Sequence, residues 1–204
     1  MSAESRRRYG RSIDIAALPE VAVTGGRPLG PAGSLPFDGA VREFFAAKAR
    51  EHRCYIVVPM GVILIEDGKP QTFNICALMD RQGRLAGIYK KVHVVAAYDA
   101  DVLEGGTTPG RDFPVFACDF GKVGIQICFD IHYDDGWETL VRKGAELVIW
   151  STQSPGQRRP ASHALRNGYY VVSSTGRNNA SLWNTAGFPG SRPCETAPRS
   201  TRDL

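Results

Sequence analysis

The chain has no C-x-x-C pair, no dinucleotide fingerprint, no phosphate loop and no apolar run long enough to cross a bilayer. Each absence removes a function class. The five cysteines, Cys54, Cys76, Cys118, Cys128 and Cys194, are odd in number and scattered, which argues against a disulfide framework and against a zinc knuckle. The glycines between Thr24 and Pro36 have no long helical pattern behind them, so they do not read as a nucleotide-binding turn. Gly68-Lys69 runs into Pro70 at the wrong spacing for a P-loop. A membrane helix needs about 18 apolar residues in succession, and no stretch approaches that length. No signal-peptide core follows Met1, so a cytoplasmic protein is expected. The net charge of +4 is mild and forms no long block. Arg6-Arg7-Arg8 reads as a solvated terminus rather than a nucleic-acid arm, and neither nucleic acid nor membrane is an expected partner.

What is present is globular. At 204 residues, 43% hydrophobic and 23% charged, the chain can bury one full core and is not wholly disordered. Ile13 to Glu20 reads as a short strand stopped by Pro19. Val41, Phe44, Phe45 and Ala49 recur at helical spacing over Asp38 to His52, with Asp38 as N-cap. A strand is expected over Cys54 to Pro59. Val62 to Ile65 and Thr72 to Met79 flank Asp67-Gly68 as a hairpin, and a third run, Arg84 to Tyr89, leads into Lys90-Lys91. Beyond Asp119 the order is strand (122–128), helix (136–143), strand (146–151), helix (162–168) and strand (169–173). Strands alternating with helices predict a mostly parallel α/β sheet joined to antiparallel hairpins. No internal repeat or domain boundary is visible. Residues 1–12 form a polar N-terminal segment, and 178–204, rich in glycine, proline and arginine without a period, reads as an irregular, disordered tail.

Three side chains sit where strands end: Glu20, Lys91 and Cys128. The carboxyl ends of parallel strands share one edge of a sheet, where sites form in open α/β proteins. A thiol, a base and a cation there are the parts of a nucleophilic acyl-transfer site. A free thiol with a pKa of about 8.5 is mostly protonated at neutral pH, so Cys128 needs such company. Asp130 and His132 are nearer in sequence but weaker partners, because a Cys–His pair depends on spatial rather than sequence proximity. Taken singly, Glu20 reads as well as an exposed carboxylate, Lys91 as half of a solvated lysine pair, and Cys128 as a core thiol. Cys54, Cys76 and Cys118 read as small core hydrophobes.

Three local patterns occur in the order Glu, Lys, Cys: Leu18-Pro19-Glu20-x-x-x-Thr24-Gly25, then Tyr89-Lys90-Lys91-Val92-His93, then Gly124-x-x-Ile127-Cys128-Phe129-Asp130. Together they resemble the carbon–nitrogen hydrolase (nitrilase) superfamily, over roughly Ile13 to Ser174. The resemblance implies an α-β-β-α sandwich over a hydrolase domain at 13–177, usually paired into homodimers or higher homo-oligomers. It implies a Glu-Lys-Cys triad with Glu20 as general base, Lys91 as oxyanion holder and Cys128 as nucleophile. Glu104 is the closest match to a second family carboxylate. The backbone N–H of Phe129 is a further oxyanion donor. Trp137, Glu138 and Trp150 are candidates for the pocket wall, and His93 for support of the lysine loop. No metal or organic cofactor is implied. The implied reaction is hydrolysis of a non-peptide C–N bond in a small linear amide or N-carbamoyl compound. Nitrile hydrolysis and amide-dependent acyl transfer would use the same residues.

The chain also departs from the family pattern. Only Met1 to Ser12 precede the glutamate segment, where relatives have a strand and a helix. Residues 178–204 supply no recognisable closing hairpin. Near Thr175, where the family often has an asparagine, the chain reads Ser-Ser-Thr-Gly-Arg, and Asp134-Asp135-Gly136-Trp137-Glu138 replaces the more usual proline-glutamate. The sequence therefore reads as a family core shortened at both ends. Exposed apolar surface and unpaired strand edges would then make it less stable than a full-length relative, or leave a non-catalytic fragment or binding protein.

Overall fold

The computed structural model describes residues 2–25, 29–95, 104–156, 158–176 and 181–183. Its described strands form two sheets. The first has the order β1 (Ile15–Ala17), β2 (Tyr55–Glu66), β3 (Lys69–Met79), β4 (Leu85–Lys90). The second has the order β5 (Val115–Cys118), β6 (Gly121–Ile127), β7 (Leu147–Thr152), β8 (Tyr170–Thr175), β9 (Ser181–Trp183). Helix α1 spans Ser2–Tyr9, α2 Gly39–His52, α3 Asp134–Arg142 and α4 Arg159–Asn167. The sheets pack face to face, with α2 outside the first and α3 and α4 outside the second. This is the expected α-β-β-α sandwich.

Alternation along β3 explains the layering. Phe73, Ile75, Ala77 and Met79 pack with Ala46 and Ala49 of α2, while Cys76 and Leu78 face the other sheet with Val57 and Tyr89. Because both faces are covered, the strand reads as a continuous apolar run rather than an alternating one. In the second sheet, Gln126, Trp150 and Ser173 form a row across the parallel strands β6, β7 and β8. That row lies under the outer helices; a side chain added at Gly136 of α3 would meet Gln126 and Phe113.

Most expected elements are found, with shifted ends. Instead of two strands at 54–59 and 62–65, β2 is one continuous strand paired with β3 from Ile56 to Glu66. Gly61 does not break it. It makes room there for Leu29 and Ser34, which lie about as close as a side chain would allow. Asp67 and Gly68 both have positive φ (52° and 74°), as a two-residue type I′ hairpin turn requires. Asp38 is the N-cap of α2 but makes no side-chain cap bond. Within the segment expected only as polar, Ser2–Tyr9 forms α1 with Glu4 bonding Arg7 and Arg8. Within the segment expected as an irregular tail, Ser181–Trp183 pairs antiparallel with β8; 177–180 and 184–204, including Cys194, lie outside the described residues. No described helix is long and apolar enough to cross a membrane.

Candidate active site

The three expected residues meet, but they come from two facing sheets rather than one sheet edge. β4 and β2 run the same way, both antiparallel to β3, and β1 is parallel to β2. The carboxyl ends of β1 and β4 therefore point to one end of the first sheet, carrying Glu20 and Lys91. β6 ends at the matching end of the second sheet, carrying Cys128. Ser151 and Ser174 fasten the two sheets there by donating to the carbonyls of Leu18 (2.8 Å) and Ala17 (2.9 Å).

At the centre is the Lys91 ammonium, 1% exposed. It donates to Glu104 Oε1 at 2.7 Å and reaches Glu20 Oε1 at 3.3 Å. The Asn74 amide Nδ2 donates to the same two oxygens, at 2.9 Å to Glu20 and 3.1 Å to Glu104. Burial pulls the lysine's pKa down, but the charges of Glu20 and Glu104 outweigh it and hold the pKa above its ordinary value. The ammonium has three protons; two are taken by the carboxylates, leaving one for a further acceptor. Glu20 also receives the Gln153 backbone N–H (3.3 Å), and the Gln153 side chain donates to the Glu20 carbonyl.

The Cys128 thiol lies within hydrogen-bonding reach of Glu20 and Thr152. Burial pushes it up to about 11, and the Glu20 charge adds to that; Lys91 and Thr152 pull the other way. The resting group is thus a neutral thiol beside a carboxylate. Cys128 has φ 42° and opens a one-turn 3-10 helix ending at His132. Glu104 (φ 42°) and Val21 (φ 50°), next to Glu20, are also left-handed. A β-branched residue with positive φ is an outlier, and such strain gathers at functional sites. The other two described non-glycine cases, Arg53 and Asp67, merely close a helix and a hairpin.

Backbone contacts fix each position. The Lys91 N–H donates to the Asn74 carbonyl (2.9 Å), and its carbonyl accepts from Gly110 N–H (2.7 Å). Only glycine fits at 110, because a side chain would sit 2.2 Å from the Lys90 carbonyl oxygen. Glu104 is held through its N–H to Val95, through Thr107 on its carbonyl, and through Val95 N–H on Oε2. The Trp150 indole donates to the Cys128 carbonyl (3.0 Å).

Asp130, a weaker partner for Cys128 in the sequence, lies in the 3-10 turn and is fully committed. Its carboxylate accepts from Tyr89 OH (2.7 Å), Ile127 N–H (2.8 Å) and His93 N–H (2.9 Å), with His93 Nδ1 at 3.0 Å. Burial alone would lower the His93 pKa; the bonds to and charges of Asp130 and Asp135 together outweigh that and raise it. His93 therefore does brace the loop after Lys91. Asp130→Ala strands several buried donors, at about 1–3 kcal/mol each. A thermal melt should show a drop of about 10 °C in a domain of this size; an unchanged melting temperature would mean that the turn does not depend on this carboxylate. His132 is exposed, and its Nε2 lies 3.2 Å from Arg159, not against the thiol.

The pocket candidates separate. Trp150 touches the Cys128 backbone. Trp137 is wholly buried, stacked on His163 (4.1 Å) with its indole on the Asp130 carbonyl (3.0 Å). Glu138 is exposed on α3, and no described contact joins it to the cluster. Asn74, Thr152 and Gln153 were not anticipated. Asn74 had a readable signal: it is a lone amide in the apolar run Phe73 to Met79. A cavity of about 290 Å³ lined by Glu66, Phe73, Ile88, Lys90 and Arg111 opens on the opposite face of β3 and β4 and contains none of the cluster. Among the described residues no three His, Cys, Asp or Glu side chains are grouped as a metal site.

A family model described as carbon-nitrogen hydrolase matches residues 1–187. The chain belongs to the carbon-nitrogen hydrolase family. Among curated members, an omega-amidase of Xenopus tropicalis is 27% identical over 180 residues, 81% of this chain and 63% of that protein. A beta-ureidopropionase of Arabidopsis thaliana is 26% identical over 149 residues, 68% of this chain and 35% of that protein. The chain thus spans less than two thirds of the length of these carbon-nitrogen hydrolases. The crystal structure of an amidase from Nesterenkonia sp. superposes with a TM-score of 0.73 at 19% identity, covering 92% of this chain and 74% of that one. That likeness is one of fold. A mutant of an amidase from Nesterenkonia sp. AN1 carries the Michael adduct of acrylamide on its active-site cysteine.

Proposed function

We propose that the protein hydrolyses a non-peptide C–N bond in a small linear amide or N-carbamoyl compound through a cysteine thioester. One observation carries the reading: a buried ammonium bridging two carboxylates, with one of these, Glu20, also at the thiol of Cys128. An assembly of buried charges is costly to keep unless each is paired, and a non-catalytic fragment gains nothing from it. The names of the omega-amidase and beta-ureidopropionase relatives agree with the substrate class.

In this reading Cys128 Sγ attacks the substrate carbonyl as Glu20 takes the thiol proton. The oxyanion is received by the remaining N–H of Lys91 and by the N–H of Phe129, near the start of a helical turn where backbone donors lack intrahelical partners. The C–N bond breaks as Glu20 returns the proton to the departing nitrogen, which leaves as ammonia or an amine. Water then adds to the thioester, giving its proton to Glu20, and the acid leaves with the thiol restored. Glu104 holds Lys91 in line. The homodimer expected from the family belongs to this proposal and is checked by light scattering.

The test is to incubate the protein with an amide or N-carbamoyl substrate and look by mass spectrometry for an acyl adduct on Cys128. An adduct of the acyl mass is expected, absent in Cys128→Ala. Folded protein that gives neither adduct nor product would sink the reading. Product analysis with a nitrile and with an amine acceptor separates nitrilase and acyltransferase chemistry from hydrolysis.

A further inference from the structure

We propose that Asn74 is the positioning residue of this site, a single amide that sets both carboxylates and the lysine. The inference rests on the functional reading above. Asn74 is 1% exposed on the inner face of β3. Its two amide protons go to Glu20 Oε1 and Glu104 Oε1, and its backbone carbonyl receives the Lys91 N–H. Its side-chain oxygen is buried and has no hydrogen-bond partner among the described residues. That fixes the amide's orientation by elimination. Turned over, it would set its oxygen against two carboxylate oxygens and expose no donor to either.

The consequence is a closed ring of donors and acceptors. Lys91 Nζ and Asn74 Nδ2 stand at opposite corners, with Glu20 Oε1 and Glu104 Oε1 between them. The amide adds no charge, so it separates and solvates two anions without competing for the ammonium. Without it, the carboxylates would have only Lys91 to share, and its remaining N–H would be drawn from the position where an oxyanion would form. Asn74 would touch neither the substrate nor the thiol in this arrangement; it works through Glu20, Glu104 and Lys91. The charged and titratable groups facing it are those three, with Cys128 beyond Glu20.

Asn74→Leu keeps the branched shape and removes the donors; Asn74→Asp keeps the shape and exchanges the donor for a third acid. For Asn74→Leu, kcat should fall about 10- to 100-fold with KM changed little, since the loss is of alignment in the reacting state. For Asn74→Asp, the acid limb of the pH–rate profile should move to higher pH, because three acids then share one ammonium. A packing role alone would not move that limb. Alkylation of Cys128 by iodoacetamide at pH 8 gives a readout independent of the substrate. The added acid should slow it by about tenfold, through a thiol harder to ionise. Wild-type protein that turns over no amide would refute the hydrolase reading while this labelling arm still judges Asn74. Wild-type values of kcat, pH limb and labelling in both folded variants overturn the proposal. If neither variant folds, Asn74→Ser, smaller and uncharged, is measured the same way. Wild-type behaviour there, or a failure to fold, assigns Asn74 to the framework and overturns the proposal too.

Discussion

Glu20→Gln is expected to abolish turnover while making Cys128 easier to alkylate. The two effects have opposite signs because Glu20 does two things to the thiol. As the proposed base it removes the proton during attack, and losing a positioned base costs about 10²- to 10⁴-fold in rate. As a buried charge it also holds the resting thiol up, second only to burial itself. In the wild type, with the thiol at about 11, the iodoacetamide rate should rise about tenfold per pH unit from pH 7 towards 10, where an ordinary thiol of about 8.5 would already level off. Neutralising Glu20 should move that curve to lower pH and raise the rate at pH 8. The measurement is a pair of pH–rate curves, for labelling and for hydrolysis, on wild type and variant. Labelling that falls together with turnover would mean that Glu20 holds the thiol in place rather than charging its proton equilibrium. Labelling and turnover both unchanged would remove Glu20 from the site.

The same cluster shows how far a sequence can be read. The layered fold was legible because helical periodicity in α2 and the polar hairpin turn at Asp67-Gly68 are local signals, fixed by side-chain spacing and by backbone φ. Glu20, Lys91 and Cys128 were legible because three short patterns recur in a fixed order. What was not legible is how they meet. A shared sheet edge is what parallel strands would give; the structure instead closes the site between two sheets, pinned by Ser151 and Ser174 on the carbonyls of Leu18 and Ala17. Those contacts join residues more than a hundred positions apart, and serine carries no hint of its partner. Asp130, read as only a weak partner for the thiol, has a structural place that the sequence did not show. Its spacing from Cys128 implies one face of a strand, but the strand ends at Ile127 and the carboxylate turns back to cap the loop. Asn74 was the missed opportunity: an amide in the otherwise apolar run Phe73 to Met79 calls for a buried partner, and here it has two.

Lys91→Met should destabilise the fold as well as the chemistry, and a second substitution should recover only the first. Methionine fills the space of the lysine stem but removes the only cation hydrogen-bonded to Glu20 and Glu104 among the described residues. Two carboxylates would then face each other at the buried Asn74 amide. Breaking a buried ion pair by deleting one partner costs about 3–5 kcal/mol, because the other charge is left uncompensated. For a domain of this size that is about 10 °C in melting temperature. Adding Glu104→Gln removes one of the stranded charges and supplies an amide donor, so Lys91→Met with Glu104→Gln should melt above Lys91→Met alone. Residues in one network are coupled in this way and their effects do not add. Hydrolysis should stay lost in the double variant, since nothing replaces the ammonium at the proposed oxyanion position. Thermal melts of the wild type, both single variants and the double variant close the cycle. A Lys91→Met protein that melts with the wild type would show that the ammonium is not what holds the carboxylates in the interior. A double variant no more stable than the single would show that Lys91 acts through packing of its stem rather than through its charge.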